Sequence, residues 1–151
     1  MHLSRWLVRA AVLAALGLPT AQAACVITTG SGTLINLGPG TRVDCTGTTT
    51  GQNIVWDSAQ STVVFGPNSL SNSMRIEAGE NATGARVSFS EGSSGNDLNV
   101  LLNGANTLLE INGATLRDFV NMAVIGDNST VNVTGGSLVS NSFGNGIALL
   151  G

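Results

Sequence analysis

The sequence has no lysine and no tyrosine, and its only histidine is the second residue. Its six cationic side chains are all arginines, and four of these follow position 23. All nine carboxylates also follow position 23, which gives that part of the chain a net charge of −5. Such an acidic chain is a poor partner for nucleic acid or an anionic membrane. Without histidine beyond the N-terminus, a metal site would also lack its commonest nitrogen ligand.

Glycine, asparagine, serine and threonine are abundant beyond position 23, and they alternate with short runs of valine, leucine and isoleucine. Turn-forming residues between short β-branched runs are typical of strands joined by tight corners. This composition predicts a chain of strands and turns with hardly any helix.

The N-terminal segment 1–23 has the pattern of a secretory signal peptide. Arg5 and Arg9 form a basic region, Leu7 to Leu18 an apolar region, and Ala21-Gln22-Ala23 a small-x-small cleavage site. The apolar run is shorter than the roughly 20 residues that a membrane-spanning helix needs. We therefore expect a signal peptide at 1–23 and export through the inner membrane.

After cleavage the mature chain starts at Ala24, next to Cys25. A lipid-modified Cys25 is the alternative, but Gln22 stands where a lipobox normally has a branched aliphatic residue. We expect an unmodified protein at the cell surface or secreted, or in the periplasm if the chain is truncated.

An apolar-x-apolar triplet recurs along the mature chain with its turn residues in step. Triplets begin at positions 43, 63, 87, 109 and 131, so the successive steps are 20, 24, 22 and 22. Self-similarity at a period of about 20 to 50 residues is the sequence signature of a repeat architecture. A second series of triplets lies between the first: Ile35-Asn36-Leu37, Ile54-Val55-Trp56, Met74-Arg75-Ile76, Val100-Leu101-Leu102, Met122-Ala123-Val124 and Ile147-Ala148-Leu149.

Each triplet is expected to be a short strand with its outer residues inward and its middle residue toward solvent, because side chains alternate along a strand. Leu70, Leu116 and Leu138 mark a third short strand per repeat. The corners contain residues that tolerate positive φ, and they are Gly38-Pro39-Gly40, Gly79-Glu80-Asn81, Gly104-Ala105-Asn106 and Gly126-Asp127-Asn128.

Three short strands per repeat of about 22 residues predict an all-β right-handed parallel β-helix of about six rungs. The β-helix segment is expected to cover residues 24–151. An antiparallel sandwich is the alternative, since it also has short strands with turns about every 8 to 12 residues. The repeat length and the corners that recur in register with the strands favour the solenoid.

Cys25 and Cys45 are separated by one repeat. In a β-helix this places them on neighbouring rungs about 4.8 Å apart, within reach of a disulfide. Export to an oxidising compartment would allow the bond to form. We predict a Cys25–Cys45 disulfide, and two unpaired core cysteines are the alternative.

The run Thr-Val-Asn-Val-Thr-Gly-Gly-Ser-Leu at 130–138, followed by Gly146-Ile147, resembles the passenger rungs of pertactin-like autotransporters of Gram-negative bacteria. The resemblance implies a secreted β-helical passenger that acts in adhesion or host interaction, with a host surface protein or glycan as partner. It also implies a C-terminal β-barrel in the outer membrane that delivers the passenger.

The chain departs from this family in two respects. It stops at Gly151 within a rung, which would leave Ile147 and Leu149 uncovered, so we expect the β-helix to be C-terminally incomplete. None of the arginines beyond position 23 begins an Arg-Gly-Asp attachment triplet, so no binding residue is carried over.

The resulting hypothesis is a non-catalytic surface or secreted β-helix with no catalytic, cofactor-binding or metal-binding residue assigned. Its first rival is a carbohydrate-active enzyme of pectate-lyase-like fold, since fold alone does not fix function. The carboxylates Glu77, Glu80 and Glu91 are expected at corners, where a solvated charge is ordinary, and Arg117-Asp118 has Val139-Ser140 one rung later. A structural periplasmic β-helix without a host partner is the other rival.

Overall fold

The computed structural model describes residues 24–118, 121–139 and 146–150, so the predicted signal peptide lies outside the described residues. Within those ranges all regular elements are strands. In chain order the strands are β1 (Cys25–Thr29), β2 (Arg42–Cys45), β3 (Thr48–Thr50), β4 (Asn53–Trp56), β5 (Thr62–Phe65), β6 (Leu70–Ala78), β7 (Arg86–Phe89), β8 (Ser94–Leu102), β9 (Leu108–Asn112), β10 (Thr115–Arg117), β11 (Asn121–Ile125), β12 (Thr130–Thr134), β13 (Ser137–Val139) and β14 (Ile147–Leu150).

The strands form three faces, on each of which a strand pairs in parallel with the equivalent strand one turn later. The first face consists of β2, β5, β7, β9 and β12. The second consists of β3, the starts of β6 and β8, β10 and β13. The third consists of β4, the ends of β6 and β8, β11 and β14. This confirms the predicted all-β parallel β-helix, with about five turns rather than the expected six.

The triplets that begin at 43, 63, 87, 109 and 131 are paired with one another in the predicted register. Their inward side chains form two columns, and both are fully buried in the turns of β5, β7 and β9. In the second column Phe65 and Phe89 stack with ring centroids 4.5 Å apart and nearly parallel planes. Stacking of like side chains between turns thus builds the core, since one turn cannot bury its own apolar face.

The third strand of each turn was predicted at Leu70, Leu116 and Leu138, and all three lie in strands of the second face. Leu116 is buried, whereas Leu70 pairs with Ser94, faces outward and is 37% exposed. Its inward neighbour is Ser71. The corner after Phe65 is one residue longer than the corner after Ile111, and a shift of one residue exchanges the two sides of a strand.

In the second triplet series, the triplet predicted at Met74-Arg75-Ile76 is shifted along the chain. Ile76, not Met74, pairs with Ile54 and Val100, so the triplet in register is Ile76-Glu77-Ala78 and Met74 pairs with Leu98 one turn later. Met74, Ile76, Ala78 and Leu98 are buried, and Glu77 is not. The triplet in register starts two residues after the predicted one, and residues two apart on a strand point to the same side, so the predicted inward residues still face the core.

The triplet at 35–37 is not a regular strand. Ile35 makes only an isolated parallel bridge to Val55 and is 55% exposed, whereas Leu37 is buried. Asn36 between them has a φ of 96°, which breaks the alternation that an extended backbone would give.

The left-handed corner residues recur one turn apart. Gly40, Asn106 and Asn128 have positive φ, as predicted from their corners. In the turn that begins at Gly79 the left-handed residue is Gly84 instead of Asn81. The step between triplets is longest at this turn, so the corner contains more residues and the left-handed position falls later in it.

At the N-terminal end of the solenoid the first face is extended by β1, which pairs antiparallel with β2. Cys25 and Cys45 are direct partners in this pair, their Cα atoms lie 3.9 Å apart, and a disulfide joins them. The predicted bond is therefore present, but the predicted arrangement on neighbouring parallel rungs is wrong. A sequence separation of 20 fits one turn of a solenoid and also a strand that folds back, so spacing does not distinguish them.

Candidate functional site

Most carboxylates that the sequence singled out lie apart from one another. Glu80 and Glu91 are exposed in turns, as predicted. Glu77 instead lies within β6, where it forms an ion pair with Arg75. Arg117 pairs with Val139 across β10 and β13, as expected. These side chains do not converge on a common point of the surface.

One pair of carboxylates does lie at equivalent positions of successive turns. Asn96 pairs with Arg117, so the residues that follow, Asp97 and Asp118, occupy the same corner one turn apart. Ser73 precedes them in this column and donates a hydrogen bond of 2.9 Å to Asp97 Oδ2. This juxtaposition was not predicted, although a separation close to one repeat could have indicated it. Across residues 24–118, 121–139 and 146–150, no three metal-ligating side chains come together.

A shallow groove of about 320 Å³ runs over the outer surface of the first face. It crosses four successive strands, and its lining is formed by Arg42, Thr62, Val64, Arg86, Val87, Ser88, Leu108 and Glu110. The residue before each triplet and its middle residue both point outward, since they share one phase of the strand. The groove is thus a direct product of the repeat.

One end of the groove is held in place by an ion pair. Arg42 contacts Asp44 at 2.7 Å, and Thr28 Oγ1 on β1 donates to Asp44 Oδ2 at 2.6 Å. Partial burial raises the pKa of Asp44, but the hydrogen bonds from Arg42 and Thr28 and the charge of Arg42 outweigh it, so the pKa lies below its usual value. Asp44 is therefore ionised at neutral pH, and the Arg42 charge is largely neutralised there.

The middle of the groove carries a cation without such a partner. Within the described residues the guanidinium of Arg86 makes neither an ion pair nor a side-chain hydrogen bond. Glu110, one turn later, accepts a long hydrogen bond of 3.4 Å from Ser88. The apolar side chains of Val64 and Leu108 contribute to the lining between these polar groups. The groove therefore presents one available guanidinium beside a hydroxyl and an apolar floor.

No family model, curated protein or solved structure matches this chain. What the chain does must therefore be inferred from its own residues. In the part of the chain that the structure describes, there is also no helix of the length and hydropathy needed to cross a membrane.

The groove was not predicted from the sequence. A signal was nevertheless present, because Arg42 and Arg86 each stand immediately before a triplet, at positions 43 and 87. Two of the four arginines beyond position 23 thus occupy the same repeat position two turns apart. The register of the paired strands places both arginines on one surface. Their common position becomes clear only when the sequences of successive turns are aligned with one another.

Proposed function

We propose that this chain is the β-helical part of an exported, non-catalytic surface or secreted protein of autotransporter-passenger type, acting in adhesion or host interaction. In this proposal a C-terminal outer-membrane barrel in the full-length protein delivers the passenger. The solenoid serves as a stiff support, and its first face makes the contact with a host surface protein or glycan.

The observation that carries the proposal is Arg86 in the groove of the first face, whose guanidinium has no ion-pair or side-chain hydrogen-bond partner among the described residues. A guanidinium without an internal partner can donate several hydrogen bonds to a carboxylate or sulfate of a binding partner. The parallel strands beneath it are held by the stacked core, so the contact surface is fixed before binding and little ordering cost remains. The signal-peptide pattern and the disulfide both suit an exported location.

Replacement of Arg86 with glutamine is expected to weaken attachment of the purified mature chain to cultured host cells by roughly 10-fold to 150-fold. This range corresponds to the loss of a hydrogen bond to a charged group, which is worth about 1.5 to 3 kcal/mol. Arg117→Gln is the matched control, because it makes the same change of charge at an exposed site outside the groove. Flow cytometry with fluorescently labelled protein measures the attachment.

Equal loss in both variants would assign the binding to overall charge and would contradict a specific contact at the groove. Absence of any attachment by the wild-type chain would contradict the adhesion proposal itself. Release of unsaturated or shortened products from an acidic polysaccharide by the same preparation would favour the carbohydrate-active enzyme instead.

A further inference from the structure

The groove on the first face carries charges of both signs. Arg86 on β7 is the register partner of Leu108 on β9, and Glu110 lies two residues further along β9. From the spacing between strands and between alternate residues, the Cα atoms of Arg86 and Glu110 are roughly 8 Å apart. Neither side chain forms an ion pair with the other or with any other described residue. The groove thus holds a cation and an anion that are both available to a partner.

The remaining charge in the lining is already neutralised. Arg42 forms its ion pair with Asp44 at the end of the groove near β1. The other lining side chains are neutral. Two charges of opposite sign, those of Arg86 and Glu110, therefore determine which partner the groove complements.

We infer that the groove binds a protein segment that carries an acidic and a basic side chain two residues apart in an extended chain. The inference rests on the proposed function, because it takes the groove as the contact surface, and it names the class of partner. In an extended chain, residues two apart point to the same side and lie about 7 Å apart. The acidic side chain can therefore reach Arg86 while the basic side chain reaches Glu110.

An acidic glycan is a poorer complement to this groove. It would pair with Arg86, but it would bring a like charge close to Glu110, which disfavours a complex. The chain beyond position 23 has a net charge of −5, and this adds to the repulsion of a polyanion. A partner with both charges meets Arg86 and Glu110 without this cost.

The neutral side chains beside the two charges suit the same partner. Leu108 offers apolar surface to the aliphatic stem of a lysine or arginine, since long cationic side chains bury their stems while the charged head stays accessible. Ser88 donates to Glu110 over 3.4 Å, which is longer than the roughly 2.5 to 3.0 Å of a good bond between oxygens. Glu110 therefore retains the capacity to accept a stronger hydrogen bond from a bound cation.

Binding of short peptides to the purified mature chain tests the inference directly. Three peptides with blocked termini are compared: Gly-Asp-Ala-Lys-Gly, Gly-Asp-Ala-Gln-Gly and Gly-Asn-Ala-Lys-Gly. Chemical-shift titration of the isotopically labelled chain measures each dissociation constant. The first peptide is expected to bind at least several-fold more tightly than the other two and to shift resonances of β7 and β9. Absence of binding by the first peptide, or equal binding by either of the others, would overturn the inference.

Two variants assign the charges of the peptide to the groove. Arg86→Gln is expected to abolish the advantage that the aspartate gives, and Glu110→Gln the advantage that the lysine gives. Glu91→Gln is the matched control, because it makes the same change of charge at an exposed turn residue outside the groove. Loss of the lysine advantage in Glu91→Gln as well would assign it to overall charge and would contradict the inference.

Attachment to host cells separates the inference from the proposed function. Glu110→Gln is expected to weaken attachment several-fold, whereas with an acidic glycan as partner the same change would strengthen it by removing repulsion. Unchanged or stronger attachment of Glu110→Gln would overturn the inference and leave adhesion through Arg86 standing. Selective peptide binding by a wild-type chain that does not attach to cells would contradict adhesion and support the inference.

Discussion

Replacement of Phe89 with alanine is expected to lower the free energy of unfolding by about 3 to 5 kcal/mol. Phe89 is fully buried, stacks on Phe65 in the turn before, and pairs with Ile111 in the turn after. Loss of the ring removes contacts on both sides, and the surrounding turns are fixed by their backbone ladders and cannot close the cavity. For a domain with a total stability of about 5 to 15 kcal/mol, the variant would be close to unfolding.

Urea unfolding followed by far-ultraviolet circular dichroism measures this effect. Ser88→Ala is the control, because Ser88 adjoins Phe89 on the same strand but points outward into the groove. Its stability is expected to change by no more than about 0.5 kcal/mol, as is usual for surface substitutions. If the two variants lost similar stability, the assigned inward and outward phases of β7 would be wrong.

Removal of the disulfide by the double substitution Cys25→Ala, Cys45→Ala is expected to cost roughly 3 kcal/mol on the chain-entropy estimate for a loop of about 20 residues. The loss should be concentrated at the N-terminal end, because β1 has β2 as its only strand partner within the described residues. Amide hydrogen exchange should accelerate first in β1 and β2, while β7 and β9 keep their protection.

A reductant provides the control for the disulfide. Wild-type protein recovered from the periplasm should fall to the stability of the double variant when reduced, whereas the variant should not respond. Mass spectrometry of a non-reduced digest should contain the linked Cys25 and Cys45 peptides. Two alkylatable thiols, or a lipid on Cys25, would contradict both the bond and the predicted cleavage after Ala23.

The stacking of the turns was predictable because the first triplet series combines apolar periodicity with a recurring corner. Because a valine or leucine begins each triplet, only one register of the strands places an apolar side chain in the core at every turn. The disulfide partners were predictable for a simpler reason, since Cys25 and Cys45 are the only two cysteines. Their antiparallel geometry was not, because spacing along the chain contains no information on strand direction.

The second face was harder to predict because its inward positions are not consistently apolar. They are occupied in turn by Thr49, Ser71, Gly95, Leu116 and Leu138. A buried Ser71 next to an outward Leu70 reverses the usual hydrophobic pattern, so a search for leucine selects the wrong residue. Corner length, which set the phase here, is only weakly encoded in the sequence.

The groove depends on the same alignment of turns. Arg86 and Glu110 are more than one repeat apart along the chain, and no local pattern relates them. Both line the groove because β7 pairs with β9 in parallel and Ser88 is the partner of Glu110. Sites on the side of a solenoid are assembled across turns, so they emerge only after the register of every turn is known.

The solenoid requires that each turn lies in parallel on the next, about 22 residues further along the chain. Backbone nuclear Overhauser contacts in the labelled mature chain test this directly, because strands paired in a sheet are about 4.8 Å apart. The structure predicts contacts from Ser88 to Glu110 and from Glu110 to Asn132, with a constant difference between partner numbers along these strands of the first face. If the residue numbers of contacting partners along β7, β9 and β12 instead had a constant sum, one strand would run backward against the next. That result would indicate antiparallel hairpins and would contradict the solenoid.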